Sequence, residues 1–178
     1  MIHDAAVWLF SSLCHQEAAR CWTPGGTPLA LCQRCTGVYV GAALMLFLLP
    51  LMRFRPTKSL TALHAGLVLQ MIVFGLHLVP HPAPVRTLSG QLFVTGALYF
   101  LWGSLRHRWT RLQGDLSPWW YLGGVAALVL LLQAAVRMPV PMAGTVLDLL
   151  ALCGAAVIVL AALLTLVDLG ARAVWKRD

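Results

Sequence analysis

The residues of this chain that could do chemistry are cysteines gathered near its start. Four of its five cysteines fall between positions 14 and 35, namely Cys14, Cys21, Cys32 and Cys35, and His15 follows the first. Thiolates and imidazoles can hold a soft metal ion, and thiols can also form and exchange disulfides. Polar and turn residues surround the cluster, which argues against packing alone. The segment therefore predicts a metal site or a thiol site.

A metal site is the first of three hypotheses. Cys32 and Cys35 have the spacing of half a zinc ligand set, and a pair at this spacing can chelate one ion. Cys14 with His15 would supply the other ligands, although adjacent residues do not easily face one ion, so Cys14 with Cys21 is an alternative. Thiolate ligands favour zinc or another soft metal.

A redox centre is the second hypothesis, and structural disulfides are the third. Arg34 and the start of a helix would lower the pKa of a thiol in the Cys32–Cys35 pair. Cys14 and Cys21 could exchange with that pair, as in membrane oxidoreductases that make disulfides with a quinone. Two plain disulfides would instead pin the segment to the rest of the protein. No catalytic residue or substrate follows from these patterns.

The elements that must position the cysteines are membrane helices. The chain has 178 residues, 60% hydrophobic and 11% charged, with a mean hydropathy of +0.79, whereas soluble domains carry about 25% charged residues. We predict an all-α, polytopic integral membrane helix bundle with about five spans. The predicted spans are residues 37–52, 60–79, 88–105, 118–136 and 143–169.

The rest of the chain divides around this bundle. Residues 1–36 form a cysteine-rich segment, in which positions 5–13 predict a short interfacial helix with Trp8 and Phe10 in the headgroup layer. Residues 37–171 form the transmembrane bundle, and residues 172–178 form a basic tail. A cleaved signal peptide is not expected, because a basic start and a small-residue cleavage site are missing.

Basic residues predict the orientation. The net charge of +7 sits in short loops, so it indicates membrane topology rather than nucleic-acid binding. One side carries Arg53, Arg55, Lys58, Arg106, Arg108, Arg111, Arg172, Lys176 and Arg177. The other side carries Arg20, Arg34, Arg86 and Arg137. We therefore expect a multi-pass protein of the cell membrane with a cytoplasmic C-terminus and the cysteine segment outside, where thiols tend to be paired or metal-bound.

The motifs of the first hundred residues resemble a known family. They are Cys14-His-Gln, a following Arg20, the run from Pro28 through Cys32-Gln-Arg-Cys35-Thr-Gly to Tyr39, and the later Arg86-Thr-Leu-Ser-Gly. This set resembles the bacterial predicted-membrane-protein family catalogued as domain of unknown function 2085, over about residues 14–100. The resemblance implies a membrane protein and brings no activity with it. Cys21 stands where that family usually has serine.

Polar residues near the outer ends of the spans are accessory candidates. His77 and His81 could add nitrogen ligands, and Arg20, Arg34 and Arg86 could line the site. Asp148 is costly at its depth unless paired, and we expect a partnership with Arg86 or Arg137. His64 is expected to reach the cytoplasmic interface, and Cys153 to pack within a span. The glycines at 37 and 41 predict a close helix contact.

These observations lead to one functional expectation and one alternative. We expect an integral membrane protein with a Cys/His site on its outer face, made by Cys14, His15, Cys32 and Cys35, that binds a soft metal or stabilises the N-terminal segment. The alternative is a membrane thiol-disulfide oxidoreductase that uses Cys32 and Cys35, with quinone as its cofactor. The lipid bilayer is the expected partner. No protein partner is indicated, and an oligomer is compatible with the pattern.

Overall fold

A computed structural model describes residues 1–52, 56–75, 80–106 and 117–175. Within these ranges the chain forms six α-helices and no β-strand, so the all-α prediction is confirmed. The helices are α1 (Ile2–Phe10), α2 (Gln33–Met45), α3 (Lys58–Gly75), α4 (Ala83–Arg106), α5 (Pro118–Ala135) and α6 (Pro141–Trp175). Short 3-10 turns occupy Ala18–Arg20, Pro24–Gly26 and Leu46–Met52.

Helices α2 to α6 coincide with the five predicted spans, and three of them have the length and apolarity to cross a membrane. These are α3, α5 and the part of α6 from Met142 to Ala171. The apolar helix that contains α2 is shorter, Gln33–Leu48. Helix α4 has 24 residues, but its first half is polar, with Thr87, Ser89, Gln91 and Thr95 all buried. By length and composition, the described part of the chain therefore contains three candidate spans.

Two helices begin before the predicted spans that they contain, both at the cysteine end of the bundle. The first span was predicted from position 37, but α2 begins at Gln33 because Cys32 has the extended backbone of an N-cap residue. The third span was predicted from position 88, but α4 begins at Ala83, directly after Pro82. Cys35 and Arg86 therefore lie in the first turns of helices rather than in loops.

The helices alternate in direction through the bundle. Helices α2 and α4 run in parallel, because the backbone at Gly37 approaches Thr87 and the backbone at Gly41 approaches Val94. Helix α3 runs the opposite way beside α4, since Gln70 donates to the carbonyl of Ser89 near one end. Close approach of α4 to α3 near their other ends brings Gly96 against His64.

Helices α5 and α6 continue the alternation. Gln133, near the end of α5, donates to the carbonyl of Pro84 at the start of α4. Thr165, near the end of α6, donates to the carbonyl of Leu101 near the end of α4. Helices α2, α4 and α6 thus begin at one end of the bundle, and the cysteine segment packs there. The last turns of α6 lie at the opposite end.

Glycines let α2 sit deep between its neighbours. A Cβ atom at Gly37 would overlap the carbonyl oxygen of Thr87, and one at Gly154 would overlap that of Tyr39. Gly90 is equally close to the carbonyl of Arg34. The predicted glycine contact of α2 is therefore used against α4, and a second one from α6 holds the other side of α2. These contacts fix the position of α2 along the bundle axis, and therefore the positions of Cys32 and Cys35 at its start.

Helix α1 lies against this end of the bundle, in contact with α6. Phe10 is completely buried, with its ring 4.8 Å from that of Tyr39 on α2. Trp8 on the same helix is 78% exposed. The headgroup position of the two aromatics stays a prediction, and the burial of Phe10 against α2 anchors the residues that lead into Cys14.

Candidate metal centre

Three thiols converge where the N-terminal segment meets the start of α2. The Sγ atoms of Cys14, Cys32 and Cys35 all lie within 4.8 Å of one another. Cys32 is the N-cap residue of α2 and Cys35 lies in its first turn, a spacing that puts both side chains on the same side of the helix start. Cys14 approaches from the chain that follows α1. These three residues are called the thiol group below.

The backbone around Cys14 folds back to meet α2. The amide of Cys14 donates to the carbonyl of Phe10, which continues the turn of α1. Gln16 then has a positive φ of 50°, and its side chain donates to the carbonyls of Val7 and Ala30 at 2.8 and 3.0 Å. The amide of Cys32 donates to the Sγ of Cys14 at 3.3 Å. One side chain, that of Gln16, thus joins both ends of the loop that carries Cys14.

The thiol group favours one negative charge in the absence of an ion. Hydrogen bonds from the thiols of Cys32 and Cys35 lower the pKa of Cys14, with a further contribution from the backbone amide of Cys32. The same hydrogen bonds, on the thiol that donates them, raise the pKa of Cys35. The arrangement therefore favours the thiolate form of Cys14. Three thiols that already share one charge are a suitable ligand set for a cation.

Two of the predicted ligands lie outside the thiol group. His15 is exposed and is not among the three converging donors, although it lines the same pocket. Cys21 is buried, and its thiol donates to the carbonyl of Glu17 at 3.3 Å while its backbone forms a bridge with Cys32. Burial, with smaller contributions from Cys14 and Cys32, raises the pKa of Cys21 to about 11. Cys21 therefore stays a thiol at neutral pH. Cys153, expected to pack, is exposed on α6.

The predicted accessory residues take different places. Arg20, Arg34 and Arg86 all line the pocket beside the thiol group. His81 is buried outside the thiol group, and its Nε2 lies 3.1 Å from an amino nitrogen of Arg34. His77 falls outside the described residues. The three predicted arginines therefore line the site, whereas His81 lies outside the thiol group and contacts Arg34.

Asp148 has a partner that the sequence did not indicate. Its carboxylate lies 2.7 Å from the Nδ1 of His3 and accepts a hydrogen bond of 3.1 Å from the amide of Ala30. The expected partner Arg137 instead stacks over the ring of Trp22, at 5.6 Å from its centroid. The prediction of an arginine partner for Asp148 was thus wrong, because its carboxylate contacts a histidine and a backbone amide of the N-terminal segment instead.

His64 also differs from its prediction. It is buried rather than at the interface, with its Nε2 2.9 Å from the hydroxyl of Tyr121 and its Nδ1 2.7 Å from the carbonyl of Leu60. The ring of Tyr99 stacks on it at 3.9 Å. This polar group lies toward the end of the bundle opposite to the thiols, and it belongs to the packing of α3 against α4 and α5.

Comparison with known proteins gives one family match. Residues 14–100 match the model of the family described as predicted membrane protein (DUF2085), which confirms the resemblance noted in the sequence. No curated protein and no solved structure matches the chain. The matched range includes all three members of the thiol group and Arg86.

Proposed function

We infer, from the membership of residues 14–100 in this family of predicted membrane proteins and from the converging thiols, that the chain is an integral membrane protein that holds one soft metal ion. Cys14, Cys32 and Cys35 are its ligands. Zinc is the ion that this donor set suits best, because three thiolates leave one position of a tetrahedral ion open.

The observation that carries this proposal is the spacing of the three Sγ atoms. In a tetrahedral site with zinc–sulfur bonds of about 2.3 Å, two sulfurs stand about 3.8 Å apart. The observed separations, all within 4.8 Å, need only small side-chain rotations to reach that value. His15 could supply the fourth ligand only by turning inward from its exposed position, so the proposal rests on the cysteines.

The arrangement is less suited to thiol-disulfide exchange. An oxidoreductase with two exchanging pairs would need Cys14 to face Cys21, but Cys14 faces Cys32 and Cys35 instead. Cys21 is buried, and its high pKa makes it a poor nucleophile. Because three thiols converge, one of them also stays unpaired when the other two form a disulfide. Quinone-linked chemistry therefore remains the alternative that the experiment below must exclude.

The same proposal includes five spans and an outward-facing thiol group. The alternating directions of α2 to α6 support five crossings, because α4 is enclosed by α2, α3 and α6 and its polar residues are shielded from lipid. The excess of basic residues at the opposite end supports a cytoplasmic position for that end.

Metal analysis of cysteine variants tests the ligand assignment. We expect the purified wild-type protein to hold one ion per chain, and Cys14→Ser, Cys32→Ser and Cys35→Ser each to lose it. Each of these variants should also melt at a lower temperature, since the binding free energy of a structural ion is also folding free energy. The measurement is elemental analysis of the purified protein, together with its melting temperature.

Cys21→Ser is the matched control, because it removes a buried thiol of the same segment that is not a member of the thiol group. It should keep the ion, and so should Cys153→Ser. Full metal content in the Cys35→Ser protein would rule out the ligand set. A metal-free wild type with Cys32 and Cys35 joined in a disulfide, and with a bound quinone, would establish the oxidoreductase instead.

A further inference from the structure

A polar pocket of about 330 Å³ opens beside the thiol group. Its lining includes Cys14, Cys32 and Cys35 of the thiol group together with Arg34 and Arg86. Both arginines lie in the first turns of parallel helices, α2 and α4, whose N-termini carry partial positive charge. The pocket thus joins a ligand set for a cation to a surface that attracts anions.

Within the described part of the chain, the two arginines are only partly satisfied by hydrogen bonds. Arg34 donates from one amino nitrogen to the carbonyl of Phe74 and to His81. Arg86 makes one long hydrogen bond, of 3.4 Å, to the side chain of Gln33. The Nε atom of each arginine is buried and has no hydrogen-bond partner among the residues that the structure describes. Buried guanidinium donors without partners are costly, so a ligand that reached them would stabilise both arginines.

The charges of the residues that line the pocket also favour an anionic ligand. Glu17 is the only acidic residue among the described residues that line the pocket, and it already pairs with Arg20 at 2.9 Å. Arg34 and Arg86 therefore face the pocket as two positive charges without a carboxylate. A divalent ion held by three thiolates carries one negative charge, which offsets one of the arginines. One positive charge then remains for a ligand to neutralise.

We propose that this pocket binds a small oxyanion, a carboxylate or phosphate group clamped between Arg34 and Arg86, and that an oxygen of this anion takes the open position on the metal. The part of the inference that places an anion oxygen on the metal rests on the proposed metal site. Guanidinium groups bind planar or tetrahedral oxyanions through paired donors, which fits the free donors here. The site therefore takes an anionic ligand, supplied either by a free solute or by a phospholipid headgroup at the membrane surface.

Cobalt(II) gives a direct readout of the open position, because its visible spectrum changes with its ligands. Wild-type protein in neutral detergent is loaded with cobalt, its metal content is measured, and it is titrated with acetate, inorganic phosphate and a short-chain phosphatidic acid. We expect saturable binding by calorimetry and a shift in the visible band. Tighter binding of the free anions identifies a solute ligand, and tighter binding of phosphatidic acid identifies a lipid headgroup.

Arg86→Gln should keep the cobalt and lose roughly ten- to hundredfold in anion affinity, as expected for a lost charged hydrogen bond. Arg137→Gln is the control, because it removes an exposed positive charge at the same end of the bundle, outside the pocket. A metal-loaded wild type that binds none of the three anions, or an Arg86→Gln protein with unchanged affinity, would refute the anion site and leave the metal site standing. A wild type that takes up no metal refutes the proposed function and the fourth-ligand role together. Calorimetry on that metal-free protein then decides the arginine clamp separately.

Discussion

Single side chains from distant parts of the chain hold the segment that carries Cys14. Gln16 bonds to the carbonyls of Val7 and Ala30 and so closes the loop on itself. Asp148 on α6 accepts from the amide of Ala30 and pairs with His3, which fastens that loop to the bundle. The geometry of the thiol group therefore depends on polar residues that are not ligands.

Asp148→Ala tests this dependence. The variant leaves the buried amide of Ala30 without an acceptor, so we expect a loss of about 1–3 kcal/mol in the free energy of unfolding. Metal affinity should fall as well, because Ala30 lies two residues before Cys32. The measurements are denaturant-induced unfolding in mixed micelles and a metal competition assay.

Asp148→Asn is the comparison, since it keeps an oxygen that can accept from the amide of Ala30. It should retain more of the stability and of the metal affinity than Asp148→Ala. Equal stability of wild type and Asp148→Ala would show that the N-terminal segment is held by its apolar contacts, such as Phe10 on Tyr39, rather than by this carboxylate.

At the scale of the elements, glycines on α4 and α6 set the position of α2 along the bundle axis. Gly154→Ala would drive a methyl group into the carbonyl of Tyr39, so α2 and α6 must separate. Overpacking of this kind costs about 1–3 kcal/mol. We expect a lower free energy of unfolding in mixed micelles and a weaker metal site, because α2 carries Cys32 and Cys35.

The control for this prediction is Gly123→Ala on α5, where an added Cβ would meet no atom of the described residues within 4 Å. It should leave stability unchanged or raise it slightly, because alanine favours a helix over glycine. If the two alanine variants prove equally stable, the close contact between α2 and α6 does not fix the position of the thiols.

The sequence predicted the elements better than their contacts. Apolar length was enough to locate α2 to α6. Cysteine spacing selected Cys14, Cys32 and Cys35 together with His15, which lies outside the thiol group. Residues near the starts of the helices were misjudged. Arg86 precedes the third predicted span in the sequence, but it lies in the first turn of α4. The partners of Asp148 and His64 were also missed, because they lie 145 and 57 residues away along the chain. Such long-range pairs leave no local pattern.

At the scale of the whole molecule, the thiol group and the end of α6 lie at opposite ends of the bundle. We predict that a membrane-impermeant thiol reagent, applied to intact cells after a chelator, labels Cys14 and its neighbours. A tag placed after Asp178 should be reached only when the cells are opened. The physical reason is the excess of basic residues in the sequence segments that follow α2 and α4 and in the C-terminal tail.

A Cys153→Ser background removes the one cysteine of the described bundle outside the N-terminal segment, so that any label reports on that segment. Labelling of the tag in intact cells, with the thiols protected, would reverse the orientation. It would also place the thiols in a reducing compartment, where disulfides are rare.

The contact between Ala30 and Asp148 has a consequence for biosynthesis. The ribosome completes the three thiols well before the carboxylate and the glycine that hold them in position, because these come from α6 and Asp148 lies 118 residues after Ala30. A nascent chain that lacks α6 has the ligands without their support. Loading of the ion is therefore expected to follow insertion of α6, so that an occupied site would report that α6 has packed against the N-terminal segment.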